Sequence, residues 1–282
     1  YEPREEQREM ALAVNRALAT SRNLAVEGGT GVGKSMAYLL PSALGALRSG
    51  SRIGVATKTN ALLDQIVYKE LPLLKSTLAD AGVGDLSYVA LKGFSHYPCM
   101  RKVSHIVSDG ARTVNVTGKD VSQAPSIAAL LSYIEQTEYD DMDGLKLDYR
   151  VLPRYAITTT SRECLKRKCP FFGPQCFVHG LRKRAESANV LVTNHSLFFC
   201  DLAAEGFLLP PTRYWVVDEA HGAEAEARPV CTSGAPCAHE RGDDARSELA
   251  FLRPHRKGSQ GRPCVLGRCN RVLPSHERPG GV

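Results

Sequence analysis

Residues 28–35 read Gly-Gly-Thr-Gly-Val-Gly-Lys-Ser, a loop of the form G-x-x-x-x-G-K-[ST]. The glycines of such a loop let backbone N–H groups approach phosphates, and the lysine contacts the β- and γ-phosphates. The serine hydroxyl ligates Mg²⁺, and the helix that follows directs its positive end at the anion. The stretch therefore predicts an α/β domain with a nucleoside triphosphate site formed by Gly28, Gly29, Thr30, Gly31, Val32, Gly33, Lys34 and Ser35.

The surroundings of the loop fit a strand–loop–helix unit. Residues 23–27 are predicted to form a short strand, and apolar residues recur with helical spacing from Met36 to Leu47. Pro41 falls inside this helix, where a proline can introduce a kink, and Gly50 is predicted to end it.

A second motif, Asp218-Glu219-Ala220-His221, follows the apolar run 214–217. Carboxylates at the carboxyl ends of parallel strands face the ligand crevice. We expect Asp218 to hold Mg²⁺, mostly through water, and Glu219 to orient and deprotonate the attacking water. With Lys34 they form the predicted catalytic set. The Ala-His ending is typical of motors that move along nucleic acid.

Further strands are predicted at residues 52–57, 86–91 and 189–193, and helices at 5–19 and 61–71, the second ended by Pro72. Strands that alternate with helices predict a parallel sheet with helices on both faces. Residues 94–186 interrupt this alternation. The chain is therefore divided into one domain over 1–93 and 187–228 and an insertion over 94–186.

Composition narrows the class of protein. Of the 282 residues 43% are apolar, enough for a core, and the lack of an 18-residue apolar run predicts no membrane span. The chain begins at Tyr1 without a signal peptide pattern, which suggests a fragment of a cytoplasmic protein. The net charge is +6, and residues 162–184 alone account for it, with seven Lys or Arg against Glu163.

The insertion holds Cys99, Cys164, Cys169 and Cys176, spaced C-x64-C-x4-C-x6-C. Disulfides are not expected in a cytosolic ATPase. Zinc sites usually have tight C-x2-C pairs, whereas four thiolates hold an iron–sulfur cluster at wider spacings. The spacing alone supports cluster and zinc about equally, with unrelated buried cysteines as a third option. Cys200, on a predicted core helix, is expected to be a small apolar residue.

Residues 229–282 differ in character from the rest. They are rich in Arg, Gly, Pro, Ser and Cys and lack periodicity, so we expect disorder. The abrupt change suggests out-of-frame translation or a degenerate end. The four cysteines of this tail are not expected to bind metal, because no tight pairs frame them: Cys231, Cys237, Cys264 and Cys269.

In order along the chain, these motifs resemble those of the DinG/XPD-like superfamily 2 DNA helicases, which carry an iron–sulfur cluster. Residues 1–7 resemble the family's adenine-reading segment, with Gln7 on the base and Arg4 beside it. The nucleotide and DNA motifs I, Ia and II match residues 27–35, 56–65 and 218–221. Residues 92–99 and 189–199 resemble the segments on either side of the iron–sulfur domain. The resemblance covers residues 1 to about 225, and glycine at position 28, where the family usually has alanine, is a departure.

The resemblance implies a RecA-like P-loop NTPase domain with an inserted iron–sulfur domain. It implies an ATP- and Mg²⁺-dependent 5′→3′ DNA helicase that acts on single-stranded, forked or duplex DNA. It assigns Cys99, Cys164, Cys169 and Cys176 to a 4Fe–4S cluster, and Thr57 and Thr59 to the DNA backbone. Lys166, Arg167 and Lys168 are further candidate phosphate contacts.

Motifs III to VI of the family, its arch-like insertion and its second RecA-like domain have no counterpart in this sequence. We therefore expect this chain alone to bind ATP but to hydrolyse it poorly. Two alternatives stay open: a non-catalytic nucleotide- and DNA-binding fragment, and a P-loop ATPase unrelated to DNA with zinc in the insertion. No motif indicates a protein partner.

Overall fold

The computed structural model describes residues 4–29, 31–204, 206 and 208–232. Its helices are α1 (Glu5–Thr20), α2 (Lys34–Ser49), α3 (Asn60–Gln65), α4 (Leu71–Asp80), α5 (Met100–Asp109), α6 (Ala124–Gln136), α7 (Arg154–Ile157), α8 (Phe177–Ala185), α9 (His195–Ala203) and α10 (Ala223–Thr232). Its strands are β1 (Ile53–Thr57), β2 (Tyr88–Leu91), β3 (Thr113–Val116), β4 (Lys119–Ser122), β5 (Val190–Asn194) and β6 (Tyr214–Val217).

Four strands form the main sheet, in the order β2-β5-β1-β6, and all its neighbours are parallel. Side chains alternate between the two faces along each strand. On one face Val55 and Val192 pack in a core with Leu39 of α2, and on the other Leu191 packs with α8. The predicted α/β class, a parallel sheet flanked by helices, is confirmed and is consistent with a RecA-like domain.

The segment between β2 and β5 builds a core of its own. The β3–β4 hairpin is a separate antiparallel pair, and α5, α6 and α7 surround five buried apolar side chains: Val103, Leu130, Met142, Leu152 and Ile157. The last helix of this segment, α8, returns to pack on the main sheet. The insertion is therefore anchored to the sheet at its end.

All four strands of the main sheet end at the same edge, because they are parallel. Thr57 ends β1, Lys92 follows β2, Asn194 ends β5 and Asp218 follows β6. The backbone N–H of Asp218 donates to the carbonyl of Ala56 at 2.9 Å, which ties the acidic motif to the neighbouring strand. This edge is where the sequence motifs converge.

The strand predicted over residues 23–27 is wrong: residues 22–29 form no strand pairing. Leu24 and Val26 are half-buried and their neighbours exposed, so the segment has the alternation of a strand without its hydrogen bonds. Leu24 packs on the core beside α2. An alternation of apolar and polar residues indicates which side chains face a core, but it does not require that the backbone pairs with another strand.

The prediction that Pro72 ends a helix is also wrong. A π-helical turn, Ile66–Glu70, connects α3 to α4, and Pro72 lies in the first turn of α4. A proline is tolerated there because the first N–H groups of a helix have no intrahelical partner. Pro41 likewise lies inside an uninterrupted α2, while Gly50, with a φ of 62°, ends that helix as predicted.

The boundary predicted for the tail differs by four residues. Helix α10 continues to Thr232, so residues 229–232 are helical rather than disordered. The prediction for residues 233–282, with three of the tail's four cysteines, lies outside the described residues. Within the described part of the chain, no helix is long and apolar enough to cross a membrane.

Candidate functional site

The glycine-rich loop leads directly into the N-terminus of α2. Gly31 and Gly33 have φ values of 83° and 81°, a left-handed conformation that favours glycine. A Cβ atom at Gly33 would lie 2.2 Å from Nε2 of Gln7, so another residue there would displace the Gln7 side chain and strain the backbone. Thr30 lies outside the described residues.

Gln7, which is predicted to contact the base, and Arg4, which is predicted to lie beside it, both form hydrogen bonds to this loop. Nε2 of Gln7 donates to the carbonyl of Gly33 at 2.9 Å, and the guanidinium of Arg4 donates to the carbonyl of Gly31. Both side chains come from the start of the chain and hold the two left-handed glycines. The base contact itself stays a prediction.

Lys34 brings the loop and the acidic motif together. Its ammonium lies 3.4 Å from Oε1 of Glu219 and 3.3 Å from the carbonyl of Gly28. The side chains of Lys34 and Glu219 are 30% and 28% exposed, so the pair lies at an open edge of the sheet rather than in a core. The two motifs are 185 residues apart in sequence, and the sheet places them as the strand pattern predicts.

Asp218 is held at three points. Its Oδ2 accepts a hydrogen bond from the Tyr38 hydroxyl at 3.0 Å, and its Oδ1 accepts one from the Glu219 N–H at 2.9 Å. Its backbone carbonyl accepts from Nε2 of His195 at 2.8 Å, which assigns the proton to that nitrogen. Sequence reasoning missed Tyr38 and His195. Two sequence features could have indicated them. Tyr38 is a tyrosine one helical turn after Lys34, and His195 directly follows a buried strand.

The surroundings keep both groups in their neutral forms. Burial raises the pKa of Tyr38 well above its ordinary value, and the Asp218 carboxylate raises it further. Burial lowers the pKa of His195, against hydrogen bonds to backbone groups that raise it. Tyr38 therefore remains a hydrogen-bond donor to Asp218, and His195 adds no positive charge beside the acidic motif.

The segment that resembles motif Ia lies beside the acidic motif. Nζ of Lys58 is 3.5 Å from Nε2 of His221, and Nδ1 of His221 is 3.3 Å from Oε2 of Glu219. The Thr57 hydroxyl is fully buried and donates to the carbonyl of Thr59 at 3.0 Å. Thr59 is exposed, and its hydroxyl caps α3. Of the two predicted DNA contacts, only the Thr59 side chain reaches the surface.

The four cysteines of the insertion line one cavity. Its other walls are mainly apolar and aromatic, with Phe94, Phe171 and Phe172 among them. Cys99 and Cys176 stand at the N-caps of α5 and α8, and Cys164 and Cys169 flank the turn Lys166–Lys168. The four predicted ligands therefore lie around one space, and their role as ligands stays a prediction. Cys200 lies on α9, outside the cavity.

The surroundings of Cys176 include two other thiols of the cavity. Burial raises the pKa of Cys176, backbone N–H groups of α8 oppose this, and the neighbouring Cys164 and Cys99 raise it further. Sγ of Cys164 accepts from the backbone N–H of Lys166 at 3.4 Å and lies 3.9 Å from Nε2 of His179. Among the described residues, no three His, Cys, Asp or Glu side chains are close enough to hold a single metal ion.

The basic run lies at the surface beside this cavity. Lys166, Arg167 and Lys168 form a 3₁₀ turn, and all three side chains are exposed. Of the aromatic residues near the cysteines, Tyr97 and Phe177 are buried in the core between the insertion and the sheet. The aromatic side chains at these two positions therefore pack rather than face solvent.

A buried lysine joins the sheet to the insertion, and no local sequence pattern predicts this contact. The Lys92 side chain is 1% exposed, and its ammonium contacts Asp64 of α3 at 2.7 Å, Asp141 at 2.9 Å and Asp143 at 3.0 Å. Burial alone would lower the pKa of Lys92, but the three carboxylates outweigh burial and raise it. We call these four residues the Lys92 cluster.

Two further contacts extend the Lys92 cluster. Asp143 also pairs with Arg154 at 2.5 Å and with Nδ1 of His96 at 2.8 Å. Burial would raise the pKa of Asp143, but its three cationic or donating neighbours lower it. The ionised form of Asp143 is therefore favoured, and the insertion is tied to the end of β2 by charge as well as by apolar packing.

The loop, the parallel sheet and the paired acids define a P-loop nucleotide-binding domain. Among known proteins, the ATP-dependent helicase DinG of Mycobacterium tuberculosis is 37% identical over 229 residues, covering 76% of this chain and 33% of that protein. The ATP-dependent DNA helicase YoaA of Escherichia coli is 33% identical over 229 residues, covering 78% and 33%. The ATP-dependent DNA helicase DinG of Salmonella choleraesuis is 30% identical over 233 residues, covering 78% and 32%.

These similarities confirm the relation to DinG-like helicases that the motifs indicate. No protein-family model matches the chain. The chain spans about a third of the length of the curated relatives it matches.

Proposed function

We propose that this chain is the nucleotide-binding part of an ATP-dependent 5′→3′ DNA helicase. The observation that carries the proposal is the meeting of Lys34 with Glu219 at the edge where Asp218 is held. A P-loop lysine facing a paired acid at the end of a neighbouring strand is the arrangement that ATP hydrolysis requires. The helicase names of the relatives support the choice of DNA motor over other ATPases.

In this proposal each group of the site has one task. The loop N–H groups and Lys34 bind the phosphates, and Ser35 and Asp218 hold Mg²⁺, which neutralises phosphate charge. Glu219 orients the attacking water and accepts its proton. The residues fit a magnesium ion, because both Asp218 oxygens keep lone pairs free beyond the donors that fix them.

The contact of Lys58 with His221, and of His221 with Glu219, supplies a physical link between DNA and nucleotide. Lys58 follows β1 in the segment assigned to the DNA backbone, and Glu219 is the proposed base. A phosphate that draws Lys58 away from His221 alters the surroundings of Glu219. We propose that Thr59 contributes to the same contact, with Thr57 acting only through its backbone.

We further propose that residues 94–186 form a cluster-bearing domain inserted into a nucleotide domain over 1–93 and 187–228. Cys99, Cys164, Cys169 and Cys176 would hold a 4Fe–4S cluster. Four soft thiol groups that line one mainly apolar cavity fit such a group. The cluster would stabilise this part of the insertion, and the exposed run Lys166–Lys168 would bind DNA phosphates beside it.

The proposed substrates are single-stranded DNA and forked or duplex DNA, in the cytoplasm. The test uses the full-length protein and the variant Glu219→Gln, which removes the base but leaves Asp218 and Lys34. We expect Mg-ATP binding to persist while DNA-stimulated hydrolysis and strand displacement are lost. Duplexes with 5′ or 3′ single-stranded tails report the polarity.

Glu224→Gln is the matched control, since Glu224 is an exposed acid that pairs with Arg228 on α10. It should keep wild-type hydrolysis. Undiminished strand displacement by Glu219→Gln would contradict the proposed mechanism, and wild-type unwinding only from 3′ tails would contradict the polarity.

A further inference from the structure

We infer that Tyr38 is a positioning residue that holds the carboxylate of Asp218, one of the two proposed magnesium-binding side chains, in a fixed orientation toward the helix that carries the other, Ser35. The inference rests on the proposed nucleotide function and adds to it a residue outside the phosphate loop and the acidic motif. It concerns the geometry of the metal site before nucleotide arrives.

The Tyr38 hydroxyl lies between the two motifs. It donates to Oδ2 of Asp218 at 3.0 Å. Ser35 and Tyr38 are three residues apart on α2 and therefore lie on one face of the helix. Asp218 comes from the end of β6, 180 residues away. One hydroxyl thus connects α2 to the end of β6.

The tyrosine ring is suited to fix this position. Tyr38 is 2% exposed and packs in the core between α2 and the sheet, so its hydroxyl has little freedom to move. The backbone N–H of Glu219 and the ring of His195 fix the other side of Asp218. Without the hydroxyl, the Asp218 carboxylate keeps its hydrogen bond from the Glu219 N–H but loses the second donor, which fixes the rotation of the carboxylate.

A carboxylate held in this way binds a metal, or a metal-bound water, at lower entropic cost. Partners that orient a metal-binding group commonly change metal affinity by about 10- to 100-fold when they are removed. Because Asp218 is expected to act mostly through water, we place the effect at the lower end, about tenfold. A tyrosine that only fills the core would leave the magnesium requirement unchanged.

The test removes one oxygen atom with Tyr38→Phe in the 282-residue chain. Binding of the non-hydrolysable analogue AMP-PNP is followed as Mg²⁺ is titrated, and again in excess EDTA. We expect the Mg²⁺ concentration at half-maximal binding to rise about tenfold, with metal-free binding of the analogue unchanged. Tyr139→Phe is the control, since it removes a hydroxyl that donates to the carbonyl of Pro174, in the insertion.

If Tyr38→Phe does not fold, the same Mg²⁺ titration is made with Tyr38→Met. Methionine also lacks the hydroxyl, and its flexible side chain can fill the space of the ring. In an Asp218→Asn background, the Tyr38→Phe substitution should add little, because the two residues act on one interaction. A half-point within twofold of wild type in the hydroxyl-free variant would overturn the inference. Wild-type protein that binds AMP-PNP equally with and without Mg²⁺ would instead overturn the proposed function.

Discussion

The nucleotide edge and the cysteine cavity are built in different ways. At the nucleotide edge, strands and a helix N-terminus bring the functional groups into direct contact, as in the pair Lys34–Glu219 and the bond Tyr38–Asp218. At the cavity, cysteines from helix caps and a short turn face a shared space, and the contact between the Cys164 thiol and His179 is longer, at 3.9 Å. The first region is organised by its backbone, whereas the second, in our proposal, is completed by the group that its thiols bind. The two should therefore respond differently to mutation.

The largest expected difference concerns iron. Serine at Cys99, Cys164, Cys169 or Cys176 should abolish the iron and visible absorbance of anaerobically purified protein, from about four iron atoms per chain. Serine keeps the shape of the side chain but not the soft thiolate that iron–sulfur chemistry selects. The same variants should keep Mg-ATP binding, because the nucleotide edge makes its contacts without the cavity.

Cys200→Ser is the control for that comparison, since Cys200 lies on α9 outside the cavity, and it should keep its iron. Zinc in place of iron in the wild-type protein, or iron lost only in Cys200→Ser, would contradict the proposed ligand set. Loss of Mg-ATP binding together with iron would show that the two regions are not independent.

The next effect concerns the Lys92 cluster, which joins the two regions. Lys92→Ala leaves Asp64, Asp141 and Asp143 without their shared cation, and Asp141 is itself only 10% exposed. Breaking a buried pair by removing one partner costs about 3–5 kcal/mol, so the free energy of unfolding should fall by about that amount. Urea unfolding followed by circular dichroism measures it.

Lys75→Ala is the control, because Lys75 pairs with Asp85 at the surface, at 3.1 Å and with both side chains well exposed. It should cost about 0–1 kcal/mol. Equal small losses for the two variants would mean that the Lys92 cluster contributes no more than a surface pair.

The contacts of Tyr38 and of the Lys92 cluster could not be predicted from the sequence. The phosphate loop, the acidic motif and the strand ends are local patterns, and they were predicted because each carries its chemistry within a few residues. Tyr38 and Lys92 act through partners 180 and 51 residues away, and only the folded sheet brings those partners together. Local sequence patterns were also misleading: residues 23–27 alternate like a strand without pairing, and Pro72 lies in the first turn of α4 instead of ending a helix.

The smallest expected effect concerns DNA at the cavity side. Replacing Lys166, Arg167 and Lys168 together by alanine should weaken single-stranded DNA binding. The slope of log affinity against log salt should fall by about 2, because each phosphate contact on a single strand contributes about 0.7. Fluorescence anisotropy at several salt concentrations measures the slope.

Replacing Arg16, Arg22 and Arg48 by alanine removes the same charge from exposed positions on the nucleotide domain. This control should leave the slope close to that of the wild type. An equal change of this slope in both triple variants would mean that the basic turn acts only through its charge and makes no specific contact with DNA.

The nucleotide edge itself is tested most directly by calorimetric titration of the chain with Mg-AMP-PNP, comparing wild type, Lys34→Ala and the surface control Lys75→Ala. Lys34 contacts both motifs, through the carbonyl of Gly28 and the carboxylate of Glu219. A charge-assisted hydrogen bond contributes about 1.5–3 kcal/mol, so affinity should fall about 10- to 100-fold in Lys34→Ala and stay unchanged in Lys75→Ala. Wild-type affinity in Lys34→Ala would contradict the assignment of this loop as the phosphate site.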